Sequence, residues 1–415
     1  MTDHAHHDFY DVQKQLNEKF STRAIIFWID EIPSSANKEL KDRTLKALHY
    51  ILEENYQEAI EEFKDILTLN NKLPSEKMAI HLNLGNVYYS GGSLDDAIKS
   101  YNEVLNISKN SPEKSALTGS ATALCTLGLI NFEKNDLELA LNNYQKALEL
   151  HQRLVDKPSA VVDLTSIGII YSDRGDYDAA LEAHQSALEL DFELEYSEEA
   201  AYQLGTIGLI CRAKCDYDMA LEKFREALKI HQTSGVKEDM AADLGNIGIV
   251  FLDKGDYNSA EEYFNEALGL AREIGNLESE ANQLGNLGLV YREKGDIDRS
   301  LKHHEEALTI FQKLGYKDAE AVQLCNLGQI NRQKNDLDNA MKYLEMALQL
   351  YRELGDRVGE AAALGSMTLI FSDKGDYNGT MSCLQKAAKL QDKREQLDGR
   401  KTIIRTLVNN HKNTK

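Results

Sequence analysis

A glycine recurs at a fixed interval through most of this chain, and that interval decides what it can fold into. Gly128, Gly168, Gly208, Gly248, Gly288 and Gly328 stand 40 residues apart, and Thr368 continues the series. Gly85 lies 43 residues before the first of them, and Ala47 a further 38 before that. Nine copies of one short pattern call for a stack of like units, each burying its apolar face on its neighbours.

Each copy reads as two helices. The first carries its core stripe three or four residues apart, as in Leu284, Leu287, Gly288 and Tyr291. It stops at Gly175, Gly255, Gly295 or Gly375, or at Asn135 or Asn335, residues that tolerate the left-handed conformation closing a helix. The next position holds Asn55, Ser93, Asp136, Asp176, Asp216, Asp256, Asp296, Asp336 or Asp376, each able to cap the second helix. That helix carries small residues seven apart, such as Ala260 with Ala267, and ends at Gly235, Gly275, Gly315 or Gly355. Only four prolines in 415 residues agree with a mostly helical chain.

The small–aromatic–small arrangement resembles the tetratricopeptide repeat, over roughly residues 40–390. Gly288 with Tyr291, the alanine twelve after the glycine, the aromatic four further on (Phe224, Phe264) and the next alanine carry the likeness. The usual period is about 34 residues. The longer one here is similar to the Leu-Gly-Asn repeats of polarity adaptors and to kinesin light chain repeats, and the family's frequent late proline is missing. The resemblance implies an all-α, right-handed superhelical solenoid of about nine helix pairs with terminal capping elements. Residues 1–39 are expected to cap one end, 40–394 to form the solenoid, and 395–415 to supply a capping helix and basic tail. The segment Arg23–Asp30, with the only tryptophan, is strand-like in composition. It reads either as an apolar plug over the first repeat or as a docking patch.

Composition excludes several functions. Asp and Glu outnumber Lys and Arg by 68 to 47, and a net charge of −21 disfavours nucleic acid and anionic membranes. No apolar run approaches the ~20 residues of a membrane span, Ala24–Ile29 being the longest considered. The first ten residues lack a signal peptide's basic start and apolar run, and five cysteines suit a reducing compartment, so a cytoplasmic location is expected.

No phosphate loop, nucleophile elbow or His-Glu-x-x-His helix occurs, so no enzyme and no cofactor are expected. No metal is expected either. Cys211 and Cys215 take repeat positions held elsewhere by Tyr or Phe and by Gly or Asn, Cys125 and Cys325 sit where glycine is usual, and four converging ligands are not seen. His184 and His304 stand in the aromatic position as core substitutes.

A ligand is expected on the face of the first helix opposite its core stripe, which in the family lines the concave wall. Counted from the motif glycine, this face takes residues six, three and two before and one and four after. It offers Asn246, Asn286 and Asn326 as an amide ladder, Ile249, Leu289 and Gln329 as a floor, and Arg292 and Arg332 as cations. Gly245 and Gly285, three before the motif glycine, read either as relief of crowding or as room for a ligand. The expected function is a non-catalytic scaffold holding an extended or amphipathic protein or peptide segment, with Arg292 and Arg332 favouring an acidic one. The alternatives are a ligand-responsive sensor resembling tetratricopeptide receptors of signalling peptides, or a scaffold subunit of a larger assembly.

Overall fold

A computed structural model describes residues 38–69, 74–109, 111 and 113–398. The Arg23–Asp30 segment, and the proposed caps apart from residues 38–39 and 395–398, lie outside the described residues. Among the described residues the chain forms eighteen helices and no strand. They run α1 Lys38–Leu52, α2 Tyr56–Thr68, α3 Pro74–Ser90, α4 Leu94–Ser108, α5 Lys114–Glu133, α6 Leu137–Leu154, α7 Lys157–Asp173, α8 Tyr177–Glu193 and α9 Ser197–Ala213. Then follow α10 Tyr217–Ser234, α11 Lys237–Asp253, α12 Tyr257–Ile274, α13 Leu277–Glu293, α14 Ile297–Leu314, α15 Lys317–Gln333, α16 Leu337–Leu354, α17 Arg357–Asp373 and α18 Tyr377–Asp398. Nine pairs result, an odd-numbered first helix and an even-numbered second helix in each repeat. The chain divides between Ile210 and Cys211 into an N-terminal and a C-terminal unit. Within each, the helices that pack extensively are adjacent in sequence or one helix apart, the arrangement of a helical-repeat solenoid.

The turns follow from local chemistry. Gly175, Gly255, Gly295 and Gly375 take φ of 71–77° or 79°, with Asn135, Cys215 and Asn335 at 59–62° in their place. Asp136, Asp176, Asp216, Asp256, Asp296, Asp336 and Asp376 accept the amide of the third residue onward at 2.9–3.3 Å. Asn55 and Ser93 make no such bond, contrary to the expectation for every cap. Asn55 Nδ2 instead donates to Glu53 Oε2 at 3.1 Å, turning its amide away from the helix end. Caps missed by the sequence reading sit at Asp156, Asn276 and Asp356, one residue before first helices.

The motif glycine is a packing device. A Cβ at Gly248 would lie 2.6 Å from the Phe264 ring, at Gly288 2.6 Å from His304, and at Gly328 2.7 Å from Leu344. In the N-terminal unit the pairs are Gly85 with Tyr101, Gly128 with Tyr144 and Gly168 with His184. The bulky partner always comes sixteen residues later, on the second helix of the same repeat. The small residues Ala260, Ala267, Ser300 and Ala307 are fully buried and let the helices close further, and Ser300 Oγ donates to the Gly288 carbonyl at 2.7 Å. Phe264, Leu284, Leu287, Val290 and Phe311 share one core cluster, and Leu324, Leu344, Tyr351 and Ile370 another.

One described helix, α5, is long and apolar enough to cross a membrane by length and composition, with a mean hydropathy of 1.2 over its best window. The sequence reading missed it. Half of that window is buried within the protein, and α5 packs against α4 and α6.

Candidate peptide-binding face

The expected ligand face lies on α11, α13 and α15 of the C-terminal unit. Its residues follow the helical period, so they share one side of each helix. Asn246, Asn286 and Asn326 are half-buried, as are Ile249 and Leu289, whereas Gln329 is exposed. Six before the motif glycine, Ala242, Asn282 and Val322 are exposed, and Leu369 extends the apolar series on α17 at 44% exposure. Val322, 47% exposed, was not singled out from the sequence, although the minus-six position belongs to the predicted face.

The first helices interlock beneath that face. Five residues before each motif glycine stand Asp243, Gln283 and Gln323, all buried. Gln283 of α13 reaches back over Gly245 of α11, with Nε2 3.0 Å from where a Cβ would be, and Gln323 of α15 lies over Gly285 at 3.2 Å. Gly245 and Gly285 are themselves buried, so the second glycine makes room for the next repeat's glutamine and lies off the exposed face. Gln323 Oε1 accepts from His304 Nδ1 at 2.8 Å, and burial pushes the His304 imidazole down to about 4. His184 and His304 are fully buried core residues, as read from sequence.

Polar groups on the face differ in how far they are engaged. Asn286 Nδ2 donates to Gln283 Oε1 at 3.3 Å, while Asn246 and Asn326 form no side-chain hydrogen bond among the described residues. Arg292 Nη1 donates to Gln329 Oε1 at 3.2 Å and Nη2 to Glu293 Oε1 at 3.2 Å. Arg332 Nε meets Asp373 Oδ2 at 2.5 Å and Nη2 its Oδ1 at 3.3 Å, a two-pronged pair that occupies the guanidinium edge. Arg212 holds Asp253 through Nε at 2.6 Å. Arg212 and Arg332 therefore join successive repeats, which the plus-four spacing did not reveal because their acids stand 41 residues on, while Arg292 reaches the next repeat only through Gln329.

The cysteine expectations divide. Cys211 is buried and Cys215 exposed. Cys125, however, belongs to a convergence that was not foreseen: its Sγ lies 2.8 Å from Asp163 Oδ1, and His151 Nδ1 lies 2.6 Å from Asp163 Oδ2. A recurring twelve-residue spacing, His151 to Asp163 and His231 to Asp243, was the available signal. His231 Nδ1 meets Asp243 Oδ2 at 2.6 Å.

The chain matches a family model described as tetratricopeptide repeat over residues 119–191, 198–273 and 279–353, and one described as TPR repeat over 85–114. Among solved structures it is similar to the apo form of RapI, at 14% identity and a TM-score of 0.63, over 86% of this chain and 99% of that one. It is also similar to the apo form of the quorum sensor NprR from B. thuringiensis, at 12% identity and a TM-score of 0.59, over 85% and 99% of the two chains. Aspartyl phosphate phosphatase F from Bacillus subtilis gives 12% identity and a TM-score of 0.59 over 85% and 94%. At these identities the likeness is one of fold. No curated protein matches the sequence.

Proposed function

Since the chain belongs to the tetratricopeptide repeat family, we propose that it is a non-catalytic binding protein that holds an extended peptide segment of a protein partner along the first helices of its C-terminal unit. The observation that supports this reading is the row of half-buried amides at Asn246, Asn286 and Asn326, two of them without a partner, beside Ile249 and Leu289. An asparagine amide offers a donor and an acceptor, which suits the N–H and C=O of a backbone without reading its side chain. Packed helices stand about 8–10 Å apart, and a strand rises about 3.3 Å per residue, so three repeats suit some six residues. Leu289, Val322 and Leu369 would take apolar side chains of the ligand. The acidic preference expected from Arg292 and Arg332 is not carried forward, because both guanidinium groups already face carboxylates.

A peptide-responsive regulator is the second reading, and its support is the likeness of fold to the quorum sensor NprR.

The test uses peptides selected from a random display library on the full chain and measured by calorimetry. Replacing Asn286 and Asn326 by Ala is expected to weaken binding by ~1–3 kcal/mol, at ~0.5–1.5 kcal/mol for each net hydrogen bond. The thermal midpoint should stay nearly unchanged. Unaltered binding by a folded double variant would remove these amides from the site.

A further inference from the structure

Three consecutive helices of the N-terminal unit bring together a thiol, an imidazole and a carboxylate. Cys125 comes from α5, His151 from the last turn of α6 and Asp163 from α7. His151 is 5% exposed and Asp163 not at all, and one ligand atom from each of the three residues lies within 4.8 Å of the other two. We propose that Cys125, His151 and Asp163 form a site for one zinc-class divalent cation, bound by thiolate, imidazole Nδ1 and carboxylate, with water as the fourth ligand.

The chemistry of the donor set favours this. A buried carboxylate is costly without compensation, and Asp163 is compensated here by hydrogen bonds from a thiol and an imidazole. A divalent cation does the same more completely: thiolate and carboxylate together carry two negative charges, which it neutralises. Binding releases the thiol proton, and the neutral imidazole moves its one proton from Nδ1, where it now bonds Asp163, to Nε2, so that Nδ1 can ligate. Nothing is oxidised or reduced. Tetrahedral zinc with bonds of about 2.0–2.3 Å sets its ligand atoms about 3.5 Å apart. The thiol and the imidazole now contact different oxygens of Asp163, at 2.8 and 2.6 Å, and these contacts open to the tetrahedral spacing when one carboxylate oxygen binds the cation.

The repeat supplies its own comparisons. Forty residues on, the equivalent positions hold Thr165, Asp191 and Gln203, and in the C-terminal unit Gly285, Phe311 and Gln323, then Cys325, Tyr351 and Ala363. The fold thus accepts residues unable to ligate at every one of the three places. His231 and Asp243 repeat the imidazole–carboxylate pair at the same 2.6 Å, with Gly205 at the place of the thiol. The thiol is what turns it into a set of three ligands. A nucleophilic role for Cys125 is disfavoured, because its neighbour is the carboxylate and not the imidazole. Burial and Asp163 together push the thiol well above its usual range.

The experiment titrates the metal-stripped full chain with cobalt(II), followed by the thiolate-to-cobalt charge-transfer absorption. One equivalent per chain is expected, displaced by one equivalent of zinc. The band should be lost in Cys125→Ser and in Asp163→Asn and kept in Cys211→Ser and His231→Gln. A hydroxyl is tolerated at this place, as Thr165 shows, so Cys125→Ser should keep the helical circular dichroism of the parent. The terminal His4, His6 and His7 offer no thiolate and cannot mimic the signal. No band in the parent, a band that survives Cys125→Ser, or one that disappears in Cys211→Ser would each overturn the proposal.

Discussion

At the scale of the residue, the same amino acid has opposite meanings at two places in one repeat. Gly248 faces the fully buried ring of Phe264, whereas Gly269 on α12 is exposed, and a Cβ there would meet nothing within 4 Å. Alanine gains up to ~1 kcal/mol over glycine inside a helix. At Gly248 that gain is outweighed by overpacking, which costs ~1–3 kcal/mol. Chemical denaturation should therefore show Gly269→Ala stabilised by ~0.5–1 kcal/mol and Gly248→Ala destabilised by roughly 1–2 kcal/mol. Like signs for the two variants would refute the packing account of the motif glycine. Val155 is the other notable backbone position, a β-branched residue at φ 57° where the later repeats close the same helix with Gly235, Gly275, Gly315 and Gly355.

At the scale of the element, α14 carries a titration into the core. His304 is buried between Gly288 and Gln323; burial pushes its imidazole down against the hydrogen bond to Gln323, and the positive charges of Arg292 and His303 push the same way as burial. Its folded value of about 4 lies below the ordinary 6.5, so the unfolded chain binds more protons between those two values. The associated stability is complete above 6.5 and is lost as the pH falls towards 4. Asp243 on α11 acts in the opposite sense. Burial raises it to about 6 despite His231, so its contribution is present below 3.8 and lost as the pH rises through 6. In His304→Phe, which copies Phe264, the drop in melting temperature between pH 7.5 and 5 should shrink relative to the parent. An unchanged drop would mean that His304 is not the group responsible.

These elements also show what could be read from the chain beforehand. The helix pairs, their left-handed closures and the aspartate caps depend on residues within one repeat, so a 40-residue alignment exposes them. Gly245 and Gly285 were ambiguous because their partners, Gln283 and Gln323, arrive from the next repeat, 38 residues on. Arg332 looked available because Asp373 likewise comes from the next repeat, 41 residues on. The Cys125, His151 and Asp163 set was legible only in its twelve-residue His–Asp spacing, because its members occupy three different repeat positions and meet only when three helices pack. The failed cap at Asn55 follows from its amide turning to Glu53, which no spacing records.

At the scale of the whole molecule, cohesion within each unit is local. Lys254 with Asp218, Lys334 with Asp298 and Lys374 with Asp338, at 2.6, 2.8 and 2.7 Å, link one repeat to the next across the surface. Such exposed pairs contribute only ~0–1 kcal/mol each, so apolar packing between neighbouring helices dominates. With the main helix–helix packing among the described residues confined to the next helix or the next but one in either unit, unfolding should proceed in segments. Calorimetry is expected to give an enthalpy larger than the van't Hoff value, with urea transitions that differ between probes. Equal enthalpies and a single coincident transition would contradict a nearest-neighbour stack.

The glutamine seated on the preceding repeat's glycine has an evolutionary corollary. Gln283 over Gly245 and Gln323 over Gly285 are the same joint made twice in succession. A segment such as residues 277–316, copied in tandem by unequal crossing-over, would present its own glutamine to the glycine before it and its own glycine to the glutamine after it. Every junction in the lengthened chain would then be one that already exists. The gene for such a stretch can grow or shrink by whole modules without inventing a new interface.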